Sequence, residues 1–276
     1  MSRGPLYLFS VDVEDPRLDL PDGAALTPRV PEMVEAYLEF LGAVPAGGTF
    51  FVVGEVARRH PEVVRAIAAA GHELGCHSNA HVPLDRQDRV GFREDLLRNL
   101  DALDSAGAGA VTGYRSPCFS LTGETRWAYE VLAELGFAYS SSVLPAANPR
   151  YGWPDFGREP RLVEGVVELP VTLIPALGLP VGGIYFRVLP KLLLRWGLAR
   201  LSARGDAVLG YHHPYDIDTE QRLTHAEFRR GGLYDRLMRA NRGAVLPKLD
   251  MVRRMGFSFA AYGPHAARVR EALEQR

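Results

Sequence analysis

Short apolar segments alternate with segments of helical period along almost the whole chain, and this alternation limits the fold more than any other feature. Such a pattern is typical of parallel strands joined by helical crossovers that cover the sheet. About seven units are present, which favours a closed or nearly closed barrel over an open doubly wound sheet. No glycine-rich dinucleotide fingerprint follows the first strand, which weakens a Rossmann interpretation. We therefore predict an α/β fold, a distorted (β/α)7-type barrel.

The periodicity of apolar residues places the individual elements. The predicted strands cover residues 5–13, 49–53, 73–76, 110–114, 137–140, 207–211 and 257–260, with a β-pair over 161–171. The predicted helices cover residues 31–41, 61–70, 90–105, 124–135, 189–203, 248–255 and 265–275. Neither an internal repeat nor a low-complexity linker interrupts them, so we predict one domain over residues 1–276.

Composition and charge exclude several classes of protein. Apolar residues make up 47% of the chain and charged residues 24%, which is the composition of a soluble globular protein. The 32 basic and 33 acidic residues give a net charge of −1, without the basic excess of a nucleic-acid binder. Two Cys against eight His exclude a disulfide scaffold and a multi-Cys zinc module, which leaves His and carboxylates as candidate metal ligands.

The sequence shows no secretory signal and no membrane span. The apolar segment at residues 6–13 is short and ends in acidic residues, unlike a signal peptide. The longest uncharged stretch, residues 169–186, is interrupted by several Pro and Gly residues, so we predict strand and loop there. We expect a cytoplasmic protein.

Polar residues with catalytic chemistry follow several predicted strands. The first strand ends in Asp12, Glu14 and Asp15, three carboxylates whose repulsion a nearby cation would relieve. The third strand leads into His77 and His81, whose spacing we interpret as one face of a helical turn that can hold one ion. Two His and a carboxylate leave coordination positions open, as hydrolytic zinc sites require.

Further candidates follow the fourth and sixth strands. Arg115 can hold a carboxylate in a fixed geometry by bidentate bonding. Either His212 or His213 can act as a general acid, and strand alternation turns only one of them toward the barrel mouth. Each residue alone also has an ordinary structural explanation, such as a solvated turn or a packed histidine. Because all of them follow separate strands in barrel order, we interpret them together as one site.

These motifs resemble those of the polysaccharide deacetylases, the NodB-homology group or carbohydrate esterase family 4. The matching motifs are SVDVED at 10–15, TFFVVG at 49–54, GHELGCHSNAH at 71–81, RSPC at 115–118 and YHHP at 211–214. The resemblance runs from about residue 6 to residue 261 and implies the distorted NodB-type deacetylase barrel. GGIYFRVLP at 182–190 and HPYDID at 213–218 are similar to deacetylases of exopolysaccharide and O-antigen biosynthesis.

The resemblance implies a divalent metal, commonly zinc, and a carbohydrate substrate with an N-acetyl group. Asp12 is then the catalytic base that takes a proton from the attacking water, and Arg115 holds it. His213 is the general acid that protonates the leaving amine, so the products are acetate and an amino sugar. The implied metal ligands are His77, His81 and one acid, which is Glu14 by preference, with Asp15 left open. The implied substrate-binding residues are Pro117, Cys118, Ser140 and Tyr211.

One departure from the family pattern concerns Ser140. The family usually has an Asp at this place, which tunes the catalytic histidine or its arginine partner. Because Ser140 is neutral, we expect a lower pKa for His213, unless Asp216 compensates. Two alternatives to a sugar N-deacetylase therefore stay open: a hydrolase of another non-peptide amide or imide on the same scaffold, and a catalytically impaired glycan-binding homologue.

Two segments allow a second interpretation. The predicted helix at 189–203 carries a basic face, which is either an ordinary solvated face or a surface that meets a membrane with lipid-linked sugars. The loop with Tyr151, Trp153 and Phe156 either stacks on sugar rings or only covers the barrel.

Overall fold

The computed structural model describes residues 4–20, 23–42, 47–220, 236–237 and 239–275. The strands are β1 (Leu6–Val13), β2 (Thr49–Val52), β3 (Glu73–Cys76), β4 (Gly113–Tyr114), β5 (Tyr139–Ser140), β6 (Arg161–Val163), β7 (Val166–Glu168), β8 (Val208–His212) and β9 (Ser258–Ala260). The α-helices of the described residues are α1 (Val30–Leu41), α2 (Gly54–Arg59), α3 (Pro61–Ala69), α4 (Arg89–Ser105), α5 (Ala128–Glu134), α6 (Gly183–Val188), α7 (Lys191–Arg204), α8 (Val245–Arg254) and α9 (Tyr262–Glu274).

All nine strands found among the described residues belong to one curled sheet. Its order is β6-β7-β5-β4-β3-β2-β1-β8, and β9 also pairs with the start of β1. Every pair is parallel except the β6–β7 hairpin. Because the strands run parallel and are joined by helices, their carboxyl ends meet at one rim, where loops can assemble a site. The sheet has the form of the predicted distorted barrel.

The strand β1 shows how the sheet divides inside from outside. Successive side chains of a strand point to opposite faces. Tyr7, Phe9, Val11 and Val13 belong to the large core that the helices cover, whereas Leu8 belongs to a smaller core with side chains of β2, β5, β7 and α9. Leu8 therefore marks the inner face, and Ser10, Asp12 and Glu14 continue it toward the rim.

Several elements differ from the sequence prediction. The predicted helix at 189–203 is α7, which begins after Pro190, and the short α6 that precedes it was not predicted. The six-residue α2 was not predicted either, because it is too short for a periodic pattern and its first N–H groups donate to carbonyls of residues 78 and 79. Strands β4 and β5 are shorter than predicted, with only two residues each.

The β-pair predicted over 161–171 is the hairpin β6–β7. Glu164 and Gly165 connect its strands with φ of 47° and 79°. Positive φ at both central residues is the geometry of a type I′ turn, whose twist matches that of the flanking strands in a two-residue hairpin. The segment after β7 crosses to β8, where Gly182 pairs with Tyr211.

No helix of the described residues is long and apolar enough to cross a membrane. The uncharged stretch at 169–186 forms irregular chain with isolated bridges, in place of the predicted strand and loop, and its last four residues belong to the short helix α6, which the sequence does not predict.

Candidate active site

A cavity of about 340 Å³ opens at the rim formed by the carboxyl ends of the parallel strands. Asp12, Glu14, His77, His81 and His213 all line it. These residues come from three separate strand ends, those of β1, β3 and β8. The fold therefore brings together five of the residues that the sequence singles out.

The acidic end of β1 is divided between two environments. Asp12 and Glu14 follow the inner-face period and reach the cavity, and both are less than 5% exposed. Asp15 is also buried, but its carboxylate accepts a hydrogen bond from the backbone N–H of Arg17 at 3.0 Å and forms an ion pair with its guanidinium at 2.5 Å. Asp15 thus caps the following turn, and the acid placed beside the two histidines is Glu14.

Glu14, His77 and His81 form a cluster that suits a divalent metal. One ligand atom from each lies within 4.8 Å of the other two. Glu14 Oε2 is 2.5 Å from His81 Nε2 and 3.6 Å from His77 Nε2. His77 Nδ1 is 2.9 Å from the carbonyl oxygen of Arg115, so the Nε2 atom is the one directed at the cluster. Two imidazole nitrogens and a carboxylate oxygen are a donor set that zinc accepts with positions left open.

The interpretation of His77 and His81 as one face of a helical turn is wrong. Residues 77–81 form an irregular turn, with φ of 62° at Ser78 and 54° at His81. The Ser78 hydroxyl accepts the N–H of His81 at 2.8 Å and stabilises the turn. The two rings nevertheless lie 5.1 Å apart, because this turn reverses the chain and brings both to the cavity.

Helix α4 fixes the turn through two buried polar residues that the sequence analysis did not select. The Asp95 carboxylate accepts the backbone N–H groups of Asn79 and Ala80 at 2.7 and 3.2 Å. The Asn99 amide donates to the carbonyls of Val52 and Ser78 at 2.9 and 2.6 Å. Their spacing of four among the buried apolar residues of α4 is the signal that could have revealed them.

Arg115 binds Asp12 within the interior of the barrel. Its Nη1 donates to Asp12 Oδ1 and to the Ser10 hydroxyl, each at 2.6 Å. Its other nitrogens donate to the carbonyl and hydroxyl oxygens of Ser141. The guanidinium carbon lies 4.3 Å from the ring centroid of Phe51, so the cation makes a cation–π contact with the face of this ring. This network fixes Asp12 Oδ1 and leaves Oδ2 facing the cavity side, 4.0 Å from His213 Nε2.

His213 is oriented by a buried ion pair. Its Nδ1 lies 2.8 Å from Asp216 Oδ2, and the same carboxylate accepts the His213 backbone N–H at 2.9 Å. Arg187 from α6 lies 2.8 Å from Asp216 Oδ1, and both side chains are 1% exposed. The His213 Nε2 atom is thereby turned to the cavity, 3.6 Å from Glu14 Oε1.

The charges around His213 determine the direction in which its pKa shifts. Burial lowers that pKa, but the nearby carboxylates of Asp216, Glu14 and Asp12 outweigh this effect, so the pKa of His213 is raised. For Asp216, burial raises the pKa, whereas Arg187 and His213 lower it to about 2. Of the two possibilities that Ser140 leaves open, the structure therefore favours the second, in which Asp216 compensates for the neutral residue.

Tyr215 is a further site residue that the sequence analysis missed. Its ring stacks on that of His213, with centroids 4.6 Å apart and planes 9° from parallel. Its hydroxyl donates to Glu14 Oε1 at 2.9 Å, which leaves Oε2 for the two histidines of the cluster. Tyr215 and Arg187 lie far from Glu14 in the sequence, so no local pattern indicated their roles, whereas Asp216, three residues from His213, was singled out as its possible partner.

The four residues predicted at the substrate side are placed differently from one another. Cys118 and Tyr211 line the cavity. Pro117 is buried at the start of a short 3-10 turn and does not line it. Ser140 is fully buried in β5, where its hydroxyl donates to that of Ser142 at 2.8 Å. Ser140 therefore supports the backbone next to Arg115 rather than reaching the cavity.

Two segments after β5 form much of the remaining cavity wall. One is the loop around Asn148, Arg150 and Tyr151, and the other runs through Ile184 and Tyr185 of α6. The Tyr151 hydroxyl donates to Asp85 at 2.9 Å, so the first segment is tied to the loop that follows the histidine turn. Of the three aromatic residues of this loop, Tyr151 faces the cavity, whereas Phe156 is buried against Trp153.

Comparison with known proteins assigns the domain. Residues 21–140 match the family model of polysaccharide deacetylases, and residues 141–252 match a model described as a domain of unknown function, DUF3473. The chain is 30% identical over 107 residues to a chitooligosaccharide deacetylase from a Bradyrhizobium species, covering 39% of this chain and 46% of that protein. It is also 30% identical over 83 residues to a peptidoglycan-N-acetylglucosamine deacetylase of Bacillus cereus, covering 30% of each. The chain thus spans about half the length, or less, of these curated relatives.

Solved structures confirm the fold. A Mycobacterium smegmatis protein assigned to the polysaccharide deacetylases superposes with a TM-score of 0.65 at 24% identity, over 99% of this chain and 93% of that one. A family 4 carbohydrate esterase from Streptomyces lividans superposes with a TM-score of 0.55 at 15% identity, over 96% of each chain. Residues 21–140 form a polysaccharide deacetylase domain of the NodB type. The predicted family is confirmed for this segment, and the predicted barrel fold is confirmed for the chain.

The boundary between the two matched segments falls inside the sheet. It separates Ser140, the last residue of β5, from Ser141, whose oxygens hold Arg115. The cluster residues His77 and His81 lie in the first segment, whereas Arg187, His213 and Asp216 lie in the second. The segment of unknown function therefore contributes most of the residues that line the cavity described above.

Proposed function

We propose that this chain removes the N-acetyl group of an amino sugar by metal-assisted hydrolysis. The observation that carries the proposal is the convergence of Asp12, the Glu14–His77–His81 cluster and His213 on one cavity. Its relatives are named as deacetylases of chitooligosaccharide and of peptidoglycan N-acetylglucosamine, which supports an N-acetylated carbohydrate as the substrate class.

Glu14, His77 and His81 are the proposed metal ligands, and zinc is the metal that their chemistry fits best. A divalent metal bound there would polarise the acetamide carbonyl and the attacking water. Tyr215 holds one oxygen of Glu14 and the carbonyl of Arg115 holds His77, so the ligands are oriented before binding.

Asp12 and His213 are the proposed proton carriers. Asp12 takes a proton from the attacking water, and Arg115 holds the carboxylate in place through its 2.6 Å contact. His213, protonated and oriented by Asp216, donates a proton from Nε2 to the leaving nitrogen as the C–N bond breaks. Acetate and a free amine result, so the two transfers balance. A backbone N–H near Cys118, which lines the cavity, is the proposed second donor to the developing oxyanion.

Other parts of the proposal rest on sequence resemblance. The similarity of SVDVED, GGIYFRVLP and HPYDID to exopolysaccharide deacetylases supports a role in the synthesis of a surface polysaccharide. The organisation as one domain is supported by the single sheet that joins strands of both matched segments. The cytoplasmic location stays a prediction.

Metal analysis combined with acetate release tests the proposal. The purified chain, loaded with zinc, should release acetate from N-acetylglucosamine oligomers and lose this activity with a chelator. Glu14→Gln should lower the bound metal, whereas Asp15→Asn, which alters a buried acid outside the cluster, should leave the metal content unchanged. Acetate release that persists at full rate after complete metal removal would contradict the proposal, as would full metal binding in Glu14→Gln.

A further inference from the structure

The segment between β7 and β8 has an unusual charge composition. Residues 169–205 contain no Asp or Glu, although the chain has 33 acidic residues in all. The same stretch contains Arg187, Lys191, Arg195, Arg200 and Arg204. Arg187 is buried against Asp216, and the other four cations lie on α7. A chain with a net charge of −1 therefore concentrates positive charge on one helix.

The exposed face of α7 combines these cations with apolar side chains. Lys191, Leu192, Arg195, Trp196 and Arg200 are all exposed and recur at helical spacing, while Leu194, Leu198 and Leu201 are buried on the opposite face. Leu192 is 79% exposed, the largest value for a large hydrophobic side chain among the described residues, and Trp196 is 37% exposed. We refer to the five exposed residues as the basic face of α7.

The basic face adjoins the wall of the cavity. Helix α6 contributes Ile184 and Tyr185 to the cavity and ends only three positions before α7 begins. A third exposed apolar residue, Leu177 at 36%, lies in the turn that begins at Ile174, and Ile174 packs against Gly197 of α7. The helix that carries the basic face is thus joined to the cavity wall through α6, and it packs against the turn that carries Leu177.

A helix face of this composition fits the interface of an anionic lipid membrane. The apolar face of α7 is packed in the core, so the membrane-facing groups are the exposed cations together with Leu192 and Trp196 between them. Each basic residue near an anionic bilayer contributes attraction, and the apolar side chains enter the headgroup region. A stable protein interface needs roughly 800 Å² on each partner with charged residues depleted at its centre, whereas cations run along the whole of this face.

We propose that the basic face of α7 docks the protein on an anionic membrane surface, with the cavity at the edge of the contact. This inference is independent of the reaction proposed above, because it uses no residue of the cluster and no catalytic step.

Vesicle flotation tests the inference. The full chain should float with vesicles of equal parts phosphatidylcholine and phosphatidylglycerol, should not float with phosphatidylcholine alone, and should be released at about 0.5 M salt, where charge attraction is screened. Arg195→Gln with Arg200→Gln should lower the bound fraction roughly tenfold or more. Leu192→Ser with Trp196→Ser should also lower it, since the apolar contribution is lost.

A matched control changes a similar exposed pair elsewhere on the surface. Val90→Ser with Arg98→Gln alters residues of α4 that are 67% exposed, and vesicle binding should stay at the wild-type level. The inference is overturned if the wild-type chain binds neither kind of vesicle, which would favour a protein partner for the basic face. It is equally overturned if the α7 variants and the control bind alike.

Discussion

Two neighbouring histidines at the end of β8 lie on opposite faces of the sheet, and their pKa values shift in opposite directions. His212 points outward into the helix-covered core, where its ring lies 5.3 Å from Phe9 and 4.9 Å from Phe186. Burial among these rings lowers the pKa of His212 to about 4, and its Nε2 is 3.1 Å from the Tyr7 hydroxyl. This histidine is neutral and serves packing.

His213 points inward, where the surrounding charges rather than burial determine the direction of its pKa shift. Asp216, Glu14 and Asp12 raise the pKa of His213 against the effect of burial. The comparison shows that the face of a strand determines whether a histidine packs among core side chains or faces the carboxylates of the cavity. The same period separates Asp12 and Glu14 from the apolar residues of β1.

The largest effect on activity is expected from Asp12→Asn on the inner face. The substitution removes the proposed base, so deacetylation should fall by roughly 10²- to 10⁴-fold in kcat/KM. Acetate release measured with N-acetylglucosamine oligomers gives the rate. Asp101→Asn, which alters an exposed acid on α4, is the control and should retain the wild-type rate. An unchanged rate in Asp12→Asn would refute the assignment of the base.

A smaller loss is expected from Asp216→Asn, which leaves His213 in place without its buried partner. We expect kcat to fall roughly 10- to 100-fold with KM little changed. This is the loss typical of removing a residue that orients a functional histidine by a hydrogen bond. The control Asp218→Asn alters a buried acid whose carboxylate pairs with Arg29 at 3.2 Å. It should lower the melting temperature while kcat is retained. Equal kcat losses in the two variants would indicate a purely structural role for Asp216.

Substitution of His212, on the outer face of the sheet, should change the stability of the protein and not its catalytic rate. The pKa of His212 is about 4 in the folded protein against roughly 6.5 when unfolded, so protons favour the unfolded chain as pH falls below about 6.5. By pH 4.5 this costs about 2 to 3 kcal/mol of unfolding free energy. Urea unfolding at pH 7 and pH 4.5 should show a smaller acid-induced loss in His212→Gln than in the wild type. Equal losses in both proteins would contradict the neutral state of His212.

Much of this architecture follows from local sequence patterns. The alternation of strands and helices predicts the barrel, and the period of β1 predicts which acids share a face. The adjacent pair His212 and His213 is separated by the same rule, and the structure agrees.

Other features depend on contacts that a single segment does not encode. The turn between His77 and His81 looks helical by spacing, but Ser78 and the buried Asp95 hold it in an irregular form. The orientation of His213 depends on Arg187 from a short helix that has no periodic pattern. Tyr215 and Glu14 meet only because β1 and β8 are neighbours in the sheet.

The most direct test of the account compares His213→Gln with His212→Gln in the same acetate-release assay, with metal content and folding checked for both. The account predicts that His213→Gln loses activity by roughly 10²-fold or more, because the proposed acid is absent. It predicts that His212→Gln remains within about threefold of the wild type in kcat at neutral pH, because an outward-facing core residue acts on stability and not on the reaction. Comparable activity in the two folded variants, or a greater loss in His212→Gln, would contradict it.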